Sequence, residues 1–203
     1  PAQVIEFLRD LARRCKPVPV AELQELTQYA GRRLEAWDVA FYAEQLKQER
    51  LNLSEEELRP YFALPRVLAG LFELASTLFD LDIVKADAKS VWHPSVEYYT
   101  LRRRDGALVG SFYADLFARP NKRGGAWMDG CLPRARLNGG TRAPVAYLVC
   151  NFNPPAAGAP SLLTHSDVVT LFHEFGHALH HLLTEVDYPS IAGINGVAWD
   201  AVE

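Results

Sequence analysis

The chain has 203 residues, 49% of them hydrophobic and 23% charged, with a formal net charge of −4; that length holds one sizeable core with a smaller helical lobe. The slight acidity argues against a nucleic-acid partner, and the basic clusters, Arg102 with Arg103 and Arg104, and Lys122 with Arg123, are short enough to read as solvated turns. No apolar run approaches the roughly 18 residues of a membrane helix, the longest candidate, residues 67–79, being interrupted by Glu73. No signal peptide is visible, and Cys15, Cys131 and Cys150 are scattered without a C-x-x-C pattern, which suits reduced thiols in a cytoplasmic protein.

Helical periodicity covers residues 3–14, 20–35 and 36–50. Ser54 with Glu57 caps a short fourth helix, and Pro65 opens a fifth that runs to about residue 79. From Ile83 the pattern turns to strands. VEYYTLRR and ALVGSFYADLFA flank Arg104-Asp105-Gly106, a hairpin signal, and PVAYLVCNF is a further β-rich run. Residues 121–125 and 138–141 read as loops, and residues 153–160 as a Pro/Ala/Gly connection into a last helix that Thr164 and Asp167 cap. The fold class is therefore α+β, mostly helical, with a small antiparallel or mixed sheet before the last helix. One boundary falls near residue 80, between a helical lobe, 1–80, and a sheet-plus-helix region, 81–203.

The last helix carries LFHEFGHALHH, residues 171–181, in which His173, Glu174 and His177 form an H-E-x-x-H pattern. Positions four apart lie about 40° apart around a helix and roughly 6 Å along it, so two imidazoles converge on one ion. Glu174 is offset by about 100°, which misses the metal and suits a general base. Zinc fits neutral imidazole donors, and a hydrolytic zinc site uses three protein ligands. The broad apolar surface of the helix places its histidines inside the protein. His180 stands about 10 Å along the axis from His173, too far for the same ion, and His181 lacks an adjacent glutamate in a pair with His177; both read as packing or surface residues.

An H-E-x-x-H-x-x-G-x-x-H site would need Gly at 180 and His at 183, where this chain has His180 and Leu183. The third ligand is then a carboxylate, with Glu185, Asp187, Asp200 and Glu203 as candidates. Helical rise carries the first two away from His173. Asp200 and Glu203 follow a Gly-containing loop that lets the chain turn back, and spacing alone does not rank them.

HEFGHALHHLL followed by NGVAWDAVE resembles the M3 family of zinc oligopeptidases, the thimet-oligopeptidase-like enzymes, and WHPSVEYYTL, GSFYADLFARPNKRGGAWMDG and PVAYLVCNFNPP are similar to the same proteins. The resemblance implies one zinc ion per chain held by His173, His177 and Glu203, with Glu174 as the catalytic glutamate; Asp200 is left as a residue supporting the ligands. It also implies a zincin-like, largely helical enzyme with a channel for short peptides. Members of that family begin before Pro1 and continue past Glu203, so the chain is expected to be a fragment. Its tyrosine and histidine oxyanion donors would lie outside it, leaving it poor in turnover by itself, and Glu203, as the terminal residue with nothing beyond it to hold its carboxylate, would leave zinc weakly bound.

A peptidase must hold an extended substrate, and an exposed strand edge does this through main-chain bonds. In GGAWMDG, Gly124 and Gly125 permit close backbone approach, and Gly125, Ala126 and Trp127 are the candidate substrate-binding residues. The expected reaction is attack on the peptide bond by a zinc-bound water, whose pKa falls toward ~7, with Glu174 moving its proton to the leaving amine. The expected function is endopeptidase cleavage of short oligopeptides. Dipeptidyl carboxypeptidase action and a non-catalytic, metal-holding helical protein are the alternatives. Glu174 speaks against the last, since a structural site needs no base and closes all four positions with protein.

Overall fold

Pro17 and Gly31 punctuate the first part of the chain. A proline lacks the backbone N–H that the first turn of a helix leaves unused, so α1 (Ala2–Cys15) ends and α2 (Pro17–Ala30) begins beside it. Gly31, with φ 65°, closes α2 by donating its N–H to the Gln28 carbonyl. The helix therefore starts ahead of residue 20 and stops short of residue 35, the bounds that apolar periodicity suggests. α3 (Ala36–Leu51) opens on a reciprocal Glu35 and Asp38 capping box, with Arg32 donating to both Asp38 carboxylate oxygens at 2.8 and 3.1 Å. Ser54 and Glu57 exchange their expected bonds, 3.1 and 3.2 Å, at the start of α4 (Glu55–Leu58).

The structure is a computed structural model describing residues 1–52, 54–88, 90–156 and 158–198. Pro1–Glu57 and Leu58–Glu203 form separate compact units. No described residue of α1, α2 or α3 is buried, so the core belongs to the second unit. α5 (Leu64–Phe79) belongs there too, because Leu64, Leu71 and Ala75 are buried with residues of the sheet. No helix among the described residues is long and apolar enough to cross a membrane.

The strands are β1 (Leu81–Lys85), β2 (Glu97–Arg103), β3 (Leu108–Phe117), β4 (Trp127–Leu132), β5 (Ala135–Leu137), β6 (Gly140–Arg142) and β7 (Val145–Phe152). β1, β2 and β3 form an antiparallel meander, with Arg103, Asp105 and Gly106 closing the expected hairpin. β7 then pairs parallel to β3, and β4, earlier in the chain, pairs antiparallel on the outside of β7, giving the order β1-β2-β3-β7-β4. Of residues 138–141, read as a loop, Asn138 and Gly139 instead turn between β5 and β6, and Gly140 and Thr141 belong to β6. The Asn138-Gly139 pair is the usual signal for a two-residue turn.

α6 (His165–Leu182) starts at the expected box, Asp167 N–H to Thr164 Oγ1 at 3.0 Å and Thr164 N–H to Asp167 Oδ2 at 2.9 Å. Leu171, Phe175, Ala178 and Leu182 face the sheet, where Phe112, Leu148 and Cys150 are buried with them. Phe72 of α5 meets Phe112 and Phe175 at ring-centroid distances of 6.2 and 5.8 Å, so both helices cover one face. Burial of Phe175 stabilises the fold by about 1.5–3 kcal/mol.

Candidate active site

The apolar positions of α6 point at the sheet, which turns the histidine stripe outward. His173 is exposed and His177 partly so, where the sequence reading has them enclosed: one helix face meets the sheet, and the stripe lies away from it. The His173 and His177 Nε2 atoms are 3.1 Å apart and the rings are nearly perpendicular, at 85°. Two nitrogens each ~2.0–2.1 Å from zinc in tetrahedral geometry stand about 3.3 Å from one another, so the pair is already at chelating distance.

The described residues hold no cluster of three or more His, Cys, Asp or Glu suited to a metal. Two of the four candidate third ligands are engaged elsewhere. Glu185 pairs with Arg103 at 3.1 Å. Asp187 accepts from Arg136 at 2.9 and 3.2 Å and from Arg134 at 2.8 Å, and these bonds, Arg136 first, hold its carboxyl below the usual range. Asp200 and Glu203 lie outside the described residues.

Glu174 is partly buried, and its position on the helix lies between the histidine stripe and the face that meets the sheet. Burial, and next the neighbouring Glu174 charge, push the Cys150 thiol of β7 up to about 12. Trp127 pairs with Val149, so the register carried one step further sets Ala126 opposite Cys150.

β4 is an edge strand, as an added peptide strand requires. The loop feeding it is held by Asn151, whose Nδ2 donates to the carbonyls of Arg123 at 2.8 Å and Gly125 at 2.6 Å. Gly125 has φ 84°, a conformation a side chain would strain. Its carbonyl is committed to Asn151, which leaves Ala126 and Trp127 as the start of the open edge.

Three structural features escaped the sequence. Asn151 is one. A second is Lys122, expected in a solvated turn, whose side chain is only 5% exposed. Its ammonium donates to Asp115 Oδ1 (2.9 Å) and to the carbonyls of Asp115 (2.8 Å), Phe117 (2.8 Å) and Cys150 (2.6 Å). Arg119 grips the same carboxylate at 2.6 and 2.8 Å, and Trp92 donates to it at 2.9 Å. Burial alone would raise the Asp115 pKa; Arg119, Lys122 and Trp92 together outweigh it and bring it to about 2. The third is His181, 1% exposed, which donates from Nε2 to the Leu132 carbonyl at 3.1 Å. His180 is exposed, at the rim of a groove of about 540 Å³ lined by Phe79, Leu183 and Ile191.

The model of peptidase family M3 matches residues 1–203. The chain belongs to peptidase family M3. It is 50% identical over 209 residues to oligopeptidase A of Haemophilus influenzae, a match covering all of this chain and 31% of that protein. A probable cytosolic oligopeptidase A of Arabidopsis thaliana is 43% identical, with 98% of the chain and 28% of the relative covered. Dipeptidyl carboxypeptidase of Escherichia coli is 40% identical, with 96% and 29% covered. The chain thus spans under a third of the length of these M3 relatives.

Proposed function

We propose that this chain carries the metal-binding and proton-transferring part of a cytoplasmic zinc metalloendopeptidase that hydrolyses short oligopeptides. The observation that carries the reading is the 3.1 Å separation of the His173 and His177 Nε2 atoms, with Glu174 beside His173 on the same helix. His173, His177 and Glu203 would hold one zinc ion, with Asp200 supporting them. When bound, the ion supplies a Lewis acid for water and for the scissile carbonyl. A Glu174 carboxylate oxygen accepts the proton of the attacking water and hands it to the leaving amine nitrogen. The β4 edge at Gly125, Ala126 and Trp127 holds the peptide main chain as a further strand.

The test is hydrolysis of internally quenched peptides by the intact protein, before and after chelation, with Glu174→Gln alongside. Chelation should abolish turnover and zinc restore it. Glu174→Gln should keep zinc and lose roughly 10²- to 10⁴-fold in kcat; near-normal turnover with zinc bound would sink the base assignment. The dipeptidyl carboxypeptidase relative supports a second reading, removal of C-terminal dipeptides. Amidating the substrate's C-terminus separates the two, since an endopeptidase still cleaves and a carboxypeptidase does not.

A further inference from the structure

His181 is the one histidine of α6 that the sheet encloses. Its Nε2 holds the Leu132 carbonyl at the end of β4. A Cβ on Gly130 would stand 2.9 Å from His181 Cε1, and one on Gly193 would stand 2.8 Å from both His181 Cα and Nδ1. Real Cβ atoms essentially never approach so closely, so both glycines leave room for this imidazole. Strand, helix and following turn therefore meet on a single side chain.

That contact sets an axial register. Glu174 is seven residues before His181, which on a helix is about 10 Å back along nearly the same face. A strand rises ~3.3 Å per residue, so the same distance along β4 is about three residues, from Gly130 back to Trp127. A Cβ on Gly110, near the start of β3, would stand 3.0 Å from Leu182 Cδ2, while Phe175 meets Phe112 further along that strand at a ring-centroid distance of 5.6 Å, so α6 runs against β3 and β7 and in the same direction as β4.

We propose that His181 is a positioning residue for peptide hydrolysis: its bond to Leu132 and its seat between Gly130 and Gly193 keep Glu174 level with the peptide-binding start of β4. The inference rests on Glu174 being the base and β4 the substrate edge. A misplacement of 1 Å at a reacting centre costs up to ~10²-fold in rate, so a lost register shows in kcat before it shows in binding.

The experiment is a double-mutant cycle in the intact, zinc-loaded protein. His181→Leu, which removes the donor, should lower kcat roughly 10- to 100-fold while KM moves less than about threefold and bound zinc stays stoichiometric. His181→Gln, which keeps an N–H near the Nε2 position, should recover most of the loss. Gly130→Ala, which crowds the ring from the strand side, should reproduce the kcat signature with His181 intact; with His181→Gln it keeps the test alive if the leucine variant does not fold. In a Glu174→Gln background none of these changes should lower kcat further, because there is no base left to align. Losses that add fully to that of Glu174→Gln, a change confined to KM, or loss of thermal stability with kcat intact would each overturn the alignment. Failure of the base reading shows separately, as undiminished turnover in Glu174→Gln alone.

Discussion

The two faces of the five-stranded sheet solve the same problem differently. Toward α5 and α6 the sheet presents Phe112, Leu148, Ala146 and Cys150, all fully buried, and cohesion there is packing. The opposite face carries Tyr98, Tyr113 and Tyr147 in a ladder with Trp92, at centroid distances of 4.7 to 5.8 Å, and ends on the Asp115, Arg119 and Lys122 ion cluster. The cluster sits where the parallel pairing of β3 with β7 shifts register, between Asp115 and Phe117. An ammonium there supplies donors to carbonyls that the irregular ladder leaves over. A sheet face that must hold an irregular strand end uses directional bonds, and one that must seat helices uses shape.

Four measurements test that contrast, beginning with the largest effect. Lys122→Met should destabilise the second unit by roughly 3–5 kcal/mol, since it removes one of the two cations on a buried carboxylate and the ammonium donor of three carbonyls; Phe175→Ala should cost a similar ~3–5 kcal/mol through its cavity. Urea titrations that found Lys122→Met near neutral would make the cluster ornamental. The second separates the faces by pH. The Asp115 carboxyl is lowered from its ordinary ~3.9 to about 2, so its contribution is complete above the unfolded value and disappears as pH falls through about 2. Wild type should lose more stability than Asp115→Asn on acidification from pH 5 to 2, and Phe175→Ala should track wild type. Third, Asn151→Ala frees the Arg123 and Gly125 carbonyls, and each lost bond of about 0.5–1.5 kcal/mol should raise KM roughly two- to twelvefold with kcat little changed. An unchanged KM would mean the loop holds itself. Last, Arg104→Ala, whose pairs with Asp80 and Asp82 are solvent-exposed, should leave the unfolding midpoint where it was.

Legibility in the sequence followed the range of the interactions. The histidine pair, the Thr164 and Ser54 boxes and the Arg104-Asp105-Gly106 hairpin depend on residues within a few positions of one another, and the expected spacing met the observed one. Lys122 misled because its partners are remote: Cys150 lies 28 residues on, and Asp115 is reached across the end of a strand. The strand order was equally hidden, since nothing local says that β7 inserts between β3 and β4. The Asn138-Gly139 turn, by contrast, was available and passed over for a loop. Of the proposed site, His173, Glu174, His177 and the Gly125-to-Trp127 strand can be placed, while Asp200 and Glu203 fall outside the described residues.

That strand order also governs when the parts become available. β4 is made before β7, yet β7 is its neighbour in the sheet. Until residues 145–152 have been synthesised and laid against β3, β4 has no ladder to join and waits as unpaired chain through the β5 and β6 hairpin. The helix bearing His173, Glu174 and His177 comes later still and docks on the face β7 completes. Long-range pairings of this kind form slowly, because the loop must close before any contact rewards it. A nascent chain on the ribosome therefore offers the β1-β2-β3 meander for pairing before it offers the helix that bears the histidine pair.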